Sequence, residues 1–176
     1  MSLMRWCNMK ISVKKTAYYG LFLSLAIILS YLEHLIPLPL PIGMKIGFAN
    51  IIIVFLIYQN KSFGALIISV LRVLIINLLF SSLTGFLFGL SGAVLSIFVM
   101  LILKKTDLFT EISVSAAGGV FHNVAQIFIC IFITDTTAII SYATVLIPTG
   151  LLTGILIGAI TRNLLKRDYL KNLTKL

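Results

Sequence analysis

The sequence predicts an all-α integral membrane protein with six transmembrane helices. Hydrophobic residues make up 60% of the 176-residue chain and charged residues only 11%, whereas about a quarter of the residues in a soluble domain are charged. A soluble domain of this size would lack the interior to bury so much apolar surface. A spanning helix needs roughly 20 apolar residues, so the chain has room for six spans and for little else.

Six apolar segments follow one another along the chain, separated by short polar or proline-rich breaks. A proline-rich stretch at 37–41 ends the first segment, because proline lacks the amide N–H that a continuing helix needs. We predict a basic cytoplasmic segment at 1–15, a six-helix transmembrane domain at 16–161 and a basic cytoplasmic tail at 162–176. Within the domain, the predicted helices are 16–36, 44–58, 63–80, 85–103, 112–133 and 139–161.

The distribution of basic residues predicts the orientation. The chain has 14 lysines and arginines against five acidic residues, a net charge of +9. An even number of spans places both termini on one side, and the basic residues then lie on that side except for Lys45 and Arg72. Cytoplasmic loops are enriched in lysine and arginine, so we expect a cell-membrane protein with cytoplasmic termini. We assign the charge to this bias and to contact with anionic lipid, and we expect no nucleic-acid partner.

Two rows of small residues predict close helix packing. Small side chains let helix backbones approach in lipid, where apolar burial alone does not drive helices together. The rows are Gly85, Gly89 and Ala93 in the fourth helix and Gly150, Gly154 and Gly158 in the sixth.

Polar side chains at membrane depth mark a candidate site. Arg72 lies near the middle of the third helix, where a charge is costly unless it meets an acidic group, carbonyls, water or an anionic ligand. His122, Asn123 and Gln126 cluster in the fifth helix, and Asn50 lies at a similar depth in the second. These residues form either a hydrogen-bond network that only holds the helices together or a ligand cavity, and we favour the cavity.

Glu33 has two interpretations. It lies near the outer end of the first helix, just before the proline-rich stretch. It is either exposed to water at the membrane interface or functional, as a ligand contact or the partner of a basic group, with residues 37–45 as a flap over the cavity. We predict no catalytic residue, metal or cofactor, and no ATPase activity, because no glycine-rich loop is followed by Lys-Ser/Thr.

Several motifs occur together between about residues 14 and 165. They are Glu33 with Pro37, Gly47-Phe48-Ala49-Asn50, Arg72, Ser91-Gly92, and His122-Asn123-Val124-Ala125-Gln126. With these motifs the chain resembles the Gx transporter family, also labelled heptaprenyl diphosphate synthase component I. That family is similar to the substrate-binding (S) components of energy-coupling factor (ECF) vitamin transporters. The resemblance implies a six-helix bundle with an outward-opening ligand site, and as partners a coupling subunit and two ATPase subunits.

The function expected from this resemblance is capture of a small organic ligand from the outside for ATP-driven uptake. S components dock on their coupling subunit through small residues of the first helix, and Thr16, Gly20 and Ser24 form such a row here; its alternative role is packing within the bundle. The alternative function is a non-catalytic accessory subunit for polyprenyl or quinone synthesis or for a flavin-linked redox system. A synthase is disfavoured, because the isolated acidic residues cannot form the Asp-rich Mg²⁺ site of such enzymes.

Overall fold

The computed structural model describes residues 13–35, 46–80 and 82–167, and these ranges contain helices and turns without any strand. The helices are α1 Val13–Leu35, α2 Asn50–Tyr58, α3 Ser62–Phe80, α4 Leu83–Lys105, α5 Glu111–Thr134 and α6 Ala143–Lys166, with a 3₁₀ turn at Thr137–Tyr142 before α6. The predicted flap at 37–45, with Lys45, and most of the two basic terminal segments lie outside the described residues.

Five of the described helices are long and apolar enough to cross a membrane, which is the architecture of a multi-pass membrane protein. The exception is α2, whose nine residues span only about 14 Å of a hydrocarbon core about 30 Å thick. The predicted count of six spanning helices is therefore not confirmed. The second segment is shorter than predicted because residues 46–49 form a turn, with Gly47 at φ +79°, and the helix begins only at Asn50.

The ends of the other helices also differ from the predicted boundaries. The side chains of Ser82 and Thr110 accept hydrogen bonds from the first turns of α4 and α5, so these helices begin one or two residues before the predicted starts. The first and last helices extend beyond the range 16–161 predicted for the transmembrane domain, since α1 begins at Val13 and α6 continues to Lys166, and the bounds of the domain itself stay a prediction. Lysine can extend a membrane helix in this way because its apolar stem reaches toward the interface.

The short helix α2 lies at the centre of the bundle. Its residues 52–57 are all buried, as expected for a helix that is apolar on every side. Its carboxyl end is held by Lys104 of α4, whose Nζ donates to the Ile57 carbonyl at 2.7 Å and to the Asn60 side chain. A cation at this position is favourable because the carbonyls at a helix C-terminus carry partial negative charge.

Helices α5 and α6 pack backbone to backbone through the predicted glycine row. A methyl group placed on Gly150 would lie 2.6 Å from the Gly119 carbonyl oxygen, and one on Gly158 would lie 2.6 Å from Ile112 Cα. Real Cβ atoms do not approach other atoms so closely. The glycines therefore set the separation of these two helices, and that separation fixes one wall of the cavity described below.

Basic side chains gather at one end of the bundle, which we call the basic end. Lys61 joins the neighbouring helices there, with its Nζ 3.7 Å from the centre of the Tyr18 ring. Partial burial lowers the pKa of Lys61. The described residues of this end are Lys14, Lys15, Lys61, Lys104, Lys105, Arg162, Lys166 and Arg167.

Candidate ligand-binding site

A cavity of about 290 Å³ lies between the helices. All six residues that the sequence analysis selected as ligand contacts line it, although they come from four helices. They are Glu33 of α1, Asn50 of α2, Arg72 of α3, and His122, Asn123 and Gln126 of α5. The structure thus brings the six side chains to one space, and their contact with a ligand stays a prediction.

Arg72 is buried, with 9% of its surface exposed. Its Nη1 donates to Ser30 Oγ at 3.3 Å and its Nη2 to Asn50 Oδ1 at 3.5 Å, both long for hydrogen bonds. Within the described residues, its Nε has no hydrogen-bond partner. A guanidinium has five N–H donors in a planar fork that matches a carboxylate or phosphate. Arg72 therefore retains the capacity to bind an oxyanion in the cavity.

Glu33 places a carboxylate on the same cavity and also holds the chain that leads into α2. Its Oε1 accepts a hydrogen bond of 2.6 Å from the backbone N–H of Gly47. The positive φ of Gly47 favours glycine, because other residues are strained there. The carboxylate therefore has a visible structural role, and it also offsets part of the charge of Arg72 across the cavity.

The polar residues of α5 divide into two groups. Asn123 Nδ2 donates to the Leu146 carbonyl at 2.6 Å, which ties α5 to α6 in the manner of an interhelical network. Gln126 Nε2 lies 3.2 Å from His122 Nε2. The two side chains form one hydrogen-bonded pair on α5, and the donor in it depends on the tautomer of His122. The network and the cavity, which the sequence left as alternatives, thus occur together.

Gly92 of α4 provides the space for the imidazole of His122. A methyl group on Gly92 would lie 2.6 Å from His122 Cε1, 2.7 Å from Nε2 and 2.8 Å from Nδ1. The ring thus lies directly against the α4 backbone, and any larger residue at position 92 must push it away.

We therefore expect Gly92→Ala to displace His122 and to lower the amount of small molecule that purified protein retains, with only a small change in thermal stability. The ring can move at modest cost because the cavity lies beside it. Native mass spectrometry measures the retained molecule. Gly20→Ala is the matched control, since nothing lies within 4 Å of a methyl group there. Equal retention in both variants would show that the position of His122 does not matter for binding.

Sequence reasoning missed several residues of the cavity. Asn77 is 8% exposed and lines it, with Nδ2 donating to the Val73 carbonyl at 2.7 Å. The signal was present, because Asn77 is an amide in an otherwise apolar part of the helix, five positions after Arg72. The missed hydroxyl residues are Ser30, Ser96, Ser115 and Thr153.

The row of small residues on α1 points away from the described bundle. Thr16, Gly20 and Ser24 are all exposed, and a methyl group on Gly20 would meet nothing within 4 Å. Ser24 Oγ donates to the Leu21 carbonyl of its own helix at 2.8 Å. The alternative that this row packs within the bundle is not observed for the described residues, and docking to a partner stays a prediction.

The family of the chain follows from comparison with known proteins. The family model described as heptaprenyl diphosphate synthase component I matches residues 22–164. The chain belongs to this family. The matched range contains all six cavity residues that were selected from the sequence, and the expected resemblance to the heptaprenyl diphosphate synthase component I family is thereby confirmed, whereas the similarity to ECF S components stays a prediction. No significant match was found among curated proteins or among solved structures.

Proposed function

We propose that this member of the heptaprenyl diphosphate synthase component I family is the membrane substrate-binding component of an ECF-type transporter. It captures a small organic ligand from the outside, and a coupling subunit with two ATPase subunits drives uptake. The observation that carries the proposal is the buried Arg72, whose hydrogen bonds within the described residues are long and whose Nε has no partner there. A buried charge at membrane depth is expensive and typically marks a ligand or ion site.

The topology in this proposal has six membrane segments with both termini in the cytoplasm. The short α2 is the second segment and enters the membrane through the turn at 46–49. The basic end of the bundle is the cytoplasmic end, in keeping with the excess of lysine and arginine on that side of cell membranes. The ligand then reaches Arg72 from the opposite end, where Glu33 lies near the last turn of α1.

The partner in this proposal docks on the exposed row Thr16, Gly20 and Ser24. We expect Gly20→Leu to fold and to retain small molecule, but to lose co-purification with the coupling and ATPase subunits, because a bulky side chain prevents close approach of helices. Leu25→Phe, on another exposed side of α1, is the control for added bulk. Normal recruitment of the module by Gly20→Leu would eliminate this surface as the docking site.

A second candidate function follows from the family description, which names a synthase component. In this alternative the chain is a non-catalytic accessory subunit for polyprenyl or quinone synthesis. The described ranges hold no group of three His, Cys, Asp or Glu side chains that could bind a metal, and we propose that the chain itself is not an enzyme. Co-purification of partners with the wild-type protein decides between the two functions. Co-purified ATPase subunits support transport, and a co-purified soluble prenyl synthase supports the accessory role.

A further inference from the structure

The cavity is elongated along the bundle. On α4 its lining extends from Gly85 to Met100, a length of about 22 Å at 1.5 Å per residue. A cavity of this length has room for a molecule that lies along the bundle axis, with different residues in contact with its two ends.

The two sides of Arg72 differ in character. The part of the cavity toward the basic end, which we call the inner pouch, is lined by Val54, Ser96, Met100, Ser115, Gly118 and Ile157. Three of these residues belong to the buried hydrophobic core. The polar side chains of the pouch are the two serines, and its three large side chains, Val54, Met100 and Ile157, are all apolar. The inner pouch therefore favours an apolar group.

The depth of the inner pouch follows from the helices that line it. Asn50 and Val54 lie four residues apart on α2, so they share one face and are separated by about 6 Å along the axis. Met100 lies across the pouch, and a methyl group on Gly118 would meet its Sδ at 2.6 Å. An extended chain advances about 1.2 Å per bond, so about five carbon atoms reach from the level of Asn50 to that of Val54.

We propose that the ligand is a small amphiphilic oxyanion whose head binds Arg72 and whose slim apolar tail of about five atoms lies in the inner pouch. This inference rests on the proposed function and specifies the ligand class. The head accepts from the guanidinium between Ser30 and Asn50, where donors remain. The tail points toward the basic end, because a polar tail buried against Val54 and Ile157 would lose its hydrogen bonds to water without replacement.

The test uses two series of simple probes, the n-alkyl phosphates from methyl to octyl and the n-alkyl carboxylates with the same tails. Binding to full-length protein in lipid nanodiscs is measured as the rise in unfolding temperature at one fixed concentration c of each probe, since the stabilisation grows as RT ln(1 + c/Kd). We expect affinity to rise roughly fourfold for each buried methylene. The rise should level off at about five carbons, because a chain of that length fills the depth of the pouch at about 1.2 Å per bond. In at least one of the two series, binding should also depend on Arg72.

A matched pair of variants tests the position of the tail. Val54→Phe fills the inner pouch and should move the preferred tail to shorter lengths, whereas Val94→Phe adds the same bulk at a position with 53% exposure and should change nothing. A rise in affinity that Val54→Phe leaves untouched would overturn the placement of the tail. If Val54→Phe does not fold, the dependence of wild-type affinity on tail length still tests whether the ligand has an apolar tail.

Other outcomes separate this inference from the proposed function. Affinity that is independent of tail length, or absence of binding in both series, overturns the proposal that the ligand is an amphiphilic oxyanion. Neither result affects the co-purification experiment, which tests the transporter assignment through a different surface. Tail-dependent affinity that Arg72→Gln leaves unchanged overturns the placement of the head.

Discussion

Arg72→Gln is expected to abolish retention of the small molecule while the helix bundle stays intact. Glutamine removes the charge and most of the N–H donors at the centre of the cavity, and loss of one partner from a buried charged pair costs about 2–5 kcal/mol, or roughly thirty- to several-thousand-fold in affinity. Insertion of the helix should not suffer, because an uncharged residue enters the bilayer more easily. Native mass spectrometry of protein purified from its own membranes gives the fraction of molecules that carry ligand.

The control for this variant is Arg162→Gln, which makes the same change at an exposed position near the end of α6. It should retain as much small molecule as the wild type. A melting curve for each variant separates lost binding from lost folding. Wild-type retention in folded Arg72→Gln would mean that the guanidinium does not contact the ligand, and the proposed site would then be wrong.

The grouping of these side chains around one cavity could be predicted from the sequence because a membrane fixes the depth of each residue, while their contact with a ligand stays a prediction. Once the helix ends are placed, Arg72 and His122 must lie near the same level, and a polar group at that level turns inward. Depth alone does not give the direction of a side chain around its helix, yet lipid excludes the outward directions for polar groups. This explains why Asn50 and Gln126 also line the cavity.

Other features depend on tertiary contacts that the sequence pattern does not reveal. The turn that shortens α2 is joined to α1 by the hydrogen bond from Gly47 to Glu33, which links residues 14 positions apart. Asn123 resembled a ligand contact as strongly as Gln126 did, and only the structure shows its Nδ2 on the Leu146 carbonyl. Asn77 was missed because its signal, one amide in an apolar helix, is weaker than a charge.

The glycine row on α6 predicts the largest effect on stability. A methyl group on Gly154 would lie 2.6 Å from the Ser115 carbonyl oxygen and 2.7 Å from Ala116 Cα. Both are backbone atoms of α5, so no side-chain rotation can relieve the overlap, and the two helices must separate. We expect Gly154→Ala to destabilise the protein by at least about 1–3 kcal/mol, the usual cost of overpacking, and to lower its unfolding temperature clearly.

Gly20→Ala makes the identical substitution where a methyl group meets nothing within 4 Å. Alanine is the better helix former by up to about 1 kcal/mol, so this variant should unfold at the same temperature as the wild type or slightly higher. Opposite shifts of the unfolding temperature in the two variants would show that contact with α5, rather than the loss of a glycine, causes the loss of stability at position 154. An unchanged unfolding temperature for Gly154→Ala would mean that α5 and α6 are farther apart in the membrane than in this structure. The inner pouch, which these helices help to line, would then be wider than described above.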